Sequence, residues 1–290
     1  MSSTGTASGV GSKRFSDRLV EAIRASGSPA CVGLDPVLEK LPEELRARFH
    51  QPAEAFSEFC RVVLEVCRPH VGVVKPQAAC FERYGAAGVA TLEKACRLAR
   101  SLGYVVVLDA KRGDIGVTAE HYAASAAHAS ADAITLNGYL GPETIEPYLK
   151  AGLGVFVLVR TSNPGGDVVQ SPKLADGRSV AEMMADHVAA LGAAWMGTSG
   201  MSDVGAVVGA TKASEGEALR ARMPRQFFLV PGYGAQGGTA ADVARLRTRE
   251  GGGVLVNASR SVIFAEGEGA WHERVGAAAK KLALELRAVG

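Results

Sequence analysis

The chain has 290 residues and is 47% hydrophobic, which is enough to bury a core as one large α/β domain or two small ones. With 32 basic and 30 acidic residues the net charge is only +2, so nothing in the charge balance calls for nucleic acid or an anionic membrane surface. Five cysteines without CxxC spacing and six histidines without HExxH spacing make neither a disulfide framework nor a metal site, and the cysteines read as buried, reduced thiols of a cytoplasmic protein.

Residues 1–12 are rich in Ser, Gly and Thr and lack an apolar stretch, which predicts a flexible tail rather than a signal peptide. From residue 13 to 290 the pattern is a repeated strand and helix, with no composition break and no apolar run of the roughly 18 residues a membrane span needs. Phe15 to Ala25 has helical spacing and could cap the bottom of a domain. Ala30 to Leu34 is the first strand, stopped by Asp35-Pro36. Apolar residues Phe56, Phe59, Cys60, Val63, Leu64 and Cys67 then mark an amphipathic helix starting at Pro52. The second strand, Val71 to Val74, runs into Lys75-Pro76, and a helix around Gly88 to Leu102 leads to strand three, Val105 to Asp109. A helix over Thr118 to Ala129, strand four (Asp132 to Leu136), a helix over Pro142 to Lys150 and strand five (Gly154 to Val159) follow. Helix Ser179 to Trp195, strand Val204 to Val208 and helix Ser214 to Ala221 continue the alternation. Strand Phe227 to Val230, helix Ala240 to Arg249, strand Gly253 to Val256 and a helix to about Arg287 complete it.

Alternation of this kind requires parallel strands with right-handed crossovers. Eight short aliphatic strands fit a single closed (β/α)8 TIM barrel better than an open doubly wound sheet. In such a barrel the active site lies at the C-terminal ends of the strands, and polar residues do follow the apolar runs there. Strand one ends in Asp35, strand two in Lys75, strand three in Asp109 and Lys111, and strand five in Thr161, Ser162 and Asn163. Asp109 and Lys111 are two apart, so strand alternation directs both to one face. Taken singly, each has a plain alternative: Asp35-Pro36 starts a turn, and Lys75 is solvated.

Strands seven and eight run into Pro231-Gly-Tyr-Gly-Ala-Gln236-Gly-Gly and Asn257-Ala-Ser259-Arg260. The glycines let backbone approach an anion, and a cation at a helix start opposes the macrodipole unless an anion lies between them. These two loops are also where such barrels commonly hold phosphate.

The run Asp109-Ala-Lys111-Arg-Gly-Asp114-Ile115 resembles the DxKxxDI signature of orotidine 5′-monophosphate decarboxylases. The order of Gly33-Leu-Asp35-Pro, Val74-Lys75-Pro, Thr161-Ser162-Asn-Pro-Gly165 and the two rim segments above is similar to that family over residues 30 to 265, and VKPQAACFERYG resembles its longer bacterial branch. The resemblance implies cofactor-free, metal-free decarboxylation of the nucleotide OMP to UMP and CO2 in pyrimidine biosynthesis. It implies an alternating array of Lys75, Asp109, Lys111 and Asp114, in which Lys111 protonates C6 of the pyrimidine and Asp109 faces the substrate carboxylate. It further implies that Asp35 and Lys75 hold ribose hydroxyls, that Ser162 reads the pyrimidine edge, and that Gln236 and Arg260, with Ser259 beside them, bind the phosphate end. Asp114 and Thr118 would reach the ribose in the partner subunit's site of a homodimer. Tyr233 departs from the pattern and receives no role. Two other readings stay open: a sugar-phosphate lyase such as a hexulose-phosphate synthase, which would recruit a divalent metal, and a noncatalytic phosphonucleotide-binding barrel.

Overall fold

The computed structural model describes residues 13–234 and 237–289, so the predicted tail and Gln236 lie outside the described residues. In chain order the elements are α1 (Phe15–Ser26), β1 (Ala30–Leu34), α2 (Glu43–Arg48), α3 (Pro52–Cys67), β2 (Val73–Pro76), α4 (Ala78–Glu82), α5 (Gly85–Ser101), β3 (Val105–Arg112), α6 (Gly116–His128), β4 (Ala133–Leu136) and α7 (Glu146–Lys150). They continue with β5 (Gly154–Arg160), α8 (Asp167–Gln170), α9 (Val180–Gly192), β6 (Val204–Val208), α10 (Ala213–Arg222), β7 (Phe228–Val230), α11 (Ala240–Ala244), β8 (Val254–Ala258), α12 (Arg260–Ile263) and α13 (Trp271–Leu286). The eight strands pair in sequence order, all parallel, and β1 pairs with β8 through Ala30 and Val256 to close the TIM barrel.

Alternating strand residues fill two separate volumes. Cys31, Val73, Val105, Val107, Phe156, Leu229 and Leu255 point into the barrel, while their neighbours, among them Val32, Val74, Val106 and Val157, face the helices. The predicted N-terminal helix closes the barrel floor: Phe15 and Leu19 of α1 join the interior cluster, with Phe15 edge-on to Phe156 at 5.9 Å. Residue 154 must be glycine because a Cβ there would lie 2.0 Å from the Phe15 ring. On α3 the predicted apolar stripe is buried in full, and Phe59 stacks on Trp271 of α13 at 5.4 Å. Burial of each such side chain stabilises the fold by about 1.5–3 kcal/mol. Four of the cysteines are buried free thiols as expected, and Cys80 is half-buried.

The differences from the sequence reading are local. Strand two begins later and takes in Lys75 and Pro76, and strand eight extends to Ala258. The helix predicted around Gly88 to Leu102 is preceded by the separate turn α4, and the helix predicted from Pro142 begins as a 3-10 turn. The one expected over Ala240 to Arg249 stops at Ala244. No helix among the described residues is long and apolar enough to cross a membrane.

Candidate active site

A cavity of about 310 Å³ opens at the C-terminal rim and is lined by strand-end residues that include Asp35, Lys75, Asp109, Lys111, Ser162, Ser259 and Arg260. Its floor is the barrel interior, reached at Leu158, Val207 and Leu229. The apolar run of each strand carries the chain up through the core, and the first polar side chains emerge where that run stops.

The centre of the site is Asp109, 6% exposed in β3 just after the aliphatic run Val105–Leu108. Its Oδ2 accepts from Lys75 Nζ at 2.6 Å and Gln77 Nε2 at 3.1 Å, and its Oδ1 accepts from Lys111 Nζ at 2.5 Å and Thr135 Oγ1 at 3.0 Å. A carboxylate offers about four acceptor positions, so this one is saturated. Burial works against its charge, yet the ammonium groups of Lys75 and Lys111 outweigh burial and hold the carboxyl at about 2. Burial likewise opposes the Lys75 charge, and Asp109 and Asp35 raise that lysine above its ordinary range. Opposite charges about 4 Å apart at an effective dielectric near 20 attract by roughly 4 kcal/mol, which is why the buried array stays ionised.

Lys111 does not reach this face by simple alternation. The pairing of β3 with β4 shifts register between Leu108 and Arg112, and Lys111 sits at φ 47°, a left-handed conformation rare for a side-chain-bearing residue. The bulge, rather than the pleat, returns the lysine to Asp109.

Other strand ends complete the rim. Gly33 lets Ser259 pack over β1, since a Cβ there would lie 1.9 Å from Ser259 Oγ. Asp35 and Asn257 both line the cavity, and the Oδ1 of each is buried without a hydrogen-bond partner among the described residues. Ser162 stands on a segment tied down by Arg160, whose guanidinium donates to Glu215 at 2.7 and 2.9 Å, to Asp167 at 2.7 Å and to Gln170 at 3.2 Å. Gln170 in turn accepts from the Thr161 backbone N–H at 2.9 Å. After β7 the chain folds back on itself: Gly234 N–H donates to Gly238 at 2.9 Å, with Gly232 and Gly234 at φ 91° and 66°. Tyr233 lines the cavity and donates its hydroxyl to Glu285 of α13 at 3.1 Å, fastening this loop to the last helix. Arg260 opens α12 and is exposed at the cavity edge.

The structure thus brings together Asp35, Lys75, Asp109, Lys111, Ser162, Ser259 and Arg260. Asp114 and Thr118 are not among the residues lining this cavity; Asp114 is half-buried, accepts from the Ile115 N–H at 2.9 Å, and Thr118 is exposed. Sequence reasoning passed over Gln77, Thr135 and the Arg160 cluster, and gave Asn257 a place at the rim but no role. A polar residue inside the aliphatic run Ala133–Leu136 was the available signal for Thr135.

A closed parallel barrel with a lysine–aspartate–lysine array at its C-terminal rim defines a TIM-barrel enzyme. Comparison with known sequences narrows the class. The sequence model of the orotidine 5′-phosphate decarboxylase / HUMPS family matches residues 28–274, and the chain belongs to that family. It is 38% identical to an orotidine 5′-phosphate decarboxylase of Rhodopirellula baltica over 94% of this chain and 99% of that one. With the Halobacterium salinarum protein of the same name the identity is 42%, covering 94% and 98% of the two chains. The structure of Leishmania donovani OMP decarboxylase superposes with a TM-score of 0.79 at 36% identity, covering 95% of this chain and 98% of that one.

Proposed function

We propose that this chain is an orotidine 5′-monophosphate decarboxylase, a carboxy-lyase that converts OMP to UMP and CO2 without cofactor or metal. The observation that carries the reading is Asp109 saturated by four donors, with a Lys111 ammonium held at 2.5 Å and facing the cavity. Breaking the C6–carboxylate bond leaves an electron pair on C6 that the ring delocalises poorly. A cation fixed beforehand beside that carbon stabilises the pair, and Lys111 then transfers a proton from Nζ to form the C6–H bond. Solvent restores the lysine proton. The full acceptor set of Asp109 supports a role in holding Lys111.

In this reading Asp35, with its unpartnered Oδ1, and Lys75 receive the ribose hydroxyls, and Ser162 reads the pyrimidine edge. Arg260 and Gln236 bind the phosphate beside Ser259, far from the bond that breaks. Phosphate binding energy closes the surrounding loops and expels water. Residues 13–290 form one catalytic domain working in the cytoplasm in de novo pyrimidine synthesis.

The enzyme works as a homodimer in which Asp114 and Thr118 complete the partner subunit's site. Supporting this, Ile115 and Val117 next to Asp114 are 62% and 64% exposed, and Tyr139 after β4 is 82% exposed. The two segments meet where the Asn137 N–H donates to the Arg112 carbonyl at 2.8 Å, and exposed apolar side chains of this size suit cover by a second copy. Decarboxylation is tested with carboxyl-labelled OMP: the protein releases labelled CO2 and forms UMP, and Lys111→Ala abolishes both. Failure of the wild-type protein to release label would overturn the proposal.

A further inference from the structure

The Thr135 hydroxyl sits between the two groups on which the proposed chemistry depends. It is 1% exposed on β4, accepts from the Ala110 N–H at 3.0 Å and from the Lys111 N–H at 2.9 Å, and donates to Asp109 Oδ1 at 3.0 Å. A hydroxyl has one donor hydrogen and two acceptor positions, so all three are used. With both acceptor positions taken by backbone N–H groups, the hydroxyl can only donate toward Asp109, which favours the ionised carboxylate.

These bonds fall at the register shift of β3, where the ladder to β4 is broken between Leu108 and Arg112. The amides of residues 110 and 111 fall within this interruption, and N–H groups shielded from water are costly to leave unpaired. Thr135 supplies the missing acceptor for both. The same oxygen therefore stabilises the left-handed Lys111 backbone and orients the carboxylate that holds the Lys111 ammonium.

We infer that Thr135 is a positioning residue for the decarboxylation: its hydroxyl pins the β3 bulge and thereby fixes the Lys111 ammonium relative to Asp109. It acts through those two residues. The inference deepens the decarboxylase reading and rests on it for its kinetic consequence, while the claim about the bulge stands on the geometry alone.

The test compares Thr135→Val, which keeps the shape and removes the hydroxyl, with Thr135→Ser, which keeps the hydroxyl. For OMP decarboxylation Thr135→Val lowers kcat about ten- to a hundred-fold, with KM changed by no more than about threefold. Thr135→Ser restores kcat to within about threefold of wild type. The acid limb of the kcat–pH profile moves to higher pH in Thr135→Val only, because Asp109 has lost a donor that favours its charged form. Amide hydrogen exchange, read in the same proteins without substrate, is faster at Ala110 and Lys111 in Thr135→Val and unchanged in Thr135→Ser. Wild-type kcat in Thr135→Val, or an equal loss in Thr135→Ser, overturns the positioning role. Unchanged exchange at both amides overturns the bulge claim. Absence of decarboxylation by wild-type protein counts against the functional reading instead, and the exchange data still decide the bulge claim.

Discussion

Lys75 Nζ lies 2.6 Å from Asp109 Oδ2, and the two charged residues are only 4% and 6% exposed. Neither would tolerate burial alone. Asp109 is held at about 2 against an ordinary 3.8: burial pushes it up, and the charges of Lys75 and Lys111 overcome burial. A carboxyl depressed in the folded state contributes stability that is fully present above the unfolded value and is lost as pH falls through the folded one. Chemical denaturation across pH 2–6 therefore shows a loss of stability from about pH 4 downward. In Asp109→Asn this acid slope flattens, and at neutral pH the variant is less stable by about 3 kcal/mol, because Lys75 stays buried without the carboxylate that it directly contacts. An Asp109→Asn protein with wild-type stability at pH 7 would show that Lys75 relaxes out to solvent.

Arg160 is almost fully buried, yet its partners Asp167 and Glu215 are about half exposed. The guanidinium bridges β5, α8 and α10 and so spans both ends of the segment carrying Ser162. Lysine offers one point charge in place of a fork and cannot hold Glu215 and Asp167 at once. Arg160→Lys is expected to raise KM for OMP about fivefold or more with a smaller change in kcat, since it loosens the segment proposed to read the pyrimidine. Steady-state kinetics with the melting temperature alongside checks this; a fall in kcat with KM unchanged would place the segment's contribution in the chemical step.

What could be read from the sequence divides along a physical line. Asp35, Lys75 and Asp109 were legible because each follows directly on an aliphatic run, with Arg260 just beyond Asn257-Ala-Ser259, and in a parallel barrel all such runs end at one rim. Lys111 lines the cavity for a reason that alternation does not give, since alternation assumes a regular pleat and the register shift after Leu108 breaks it. Thr135 was hidden because a threonine within Ala133–Leu136 also suits a β-strand. The pairs Arg160–Glu215 and Tyr233–Glu285 join residues 55 and 52 apart, and nothing local announces such contacts. The turns α2 and α4 are too short to show a helical period.

Arg260 lines the cavity, as do Gly232 and Tyr233 of the glycine-rich turn after β7. Its proposed partner is the substrate phosphate, which the nucleoside lacks. Arg260→Ala accordingly weakens binding of UMP by about tenfold or more while leaving uridine binding nearly unchanged, as measured by calorimetry or inhibition. Equal weakening of both would move Arg260 from phosphate binding to a general role in shaping the rim.

Asp114 gives the strongest test of assembly, because it belongs to the DxKxxDI run but is not among the residues lining its own chain's cavity. If it works in the partner's site, Lys111→Ala and Asp114→Asn damage different sites of a hybrid dimer. In a hybrid one site carries both substitutions, Lys111→Ala from its own chain and Asp114→Asn from the neighbour. The other site then has Lys111 from its own chain and Asp114 from the neighbour, and is intact. Random exchange of equal amounts makes about half of the dimers hybrids, so about a quarter of all sites recover. Mixing the two inactive proteins, with subunit exchange verified by a tag or mass label, should restore about that share of wild-type activity. Were Asp114 to act in its own chain's site, each hybrid site would still carry one lesion, and the mixture would stay as inactive as its parents.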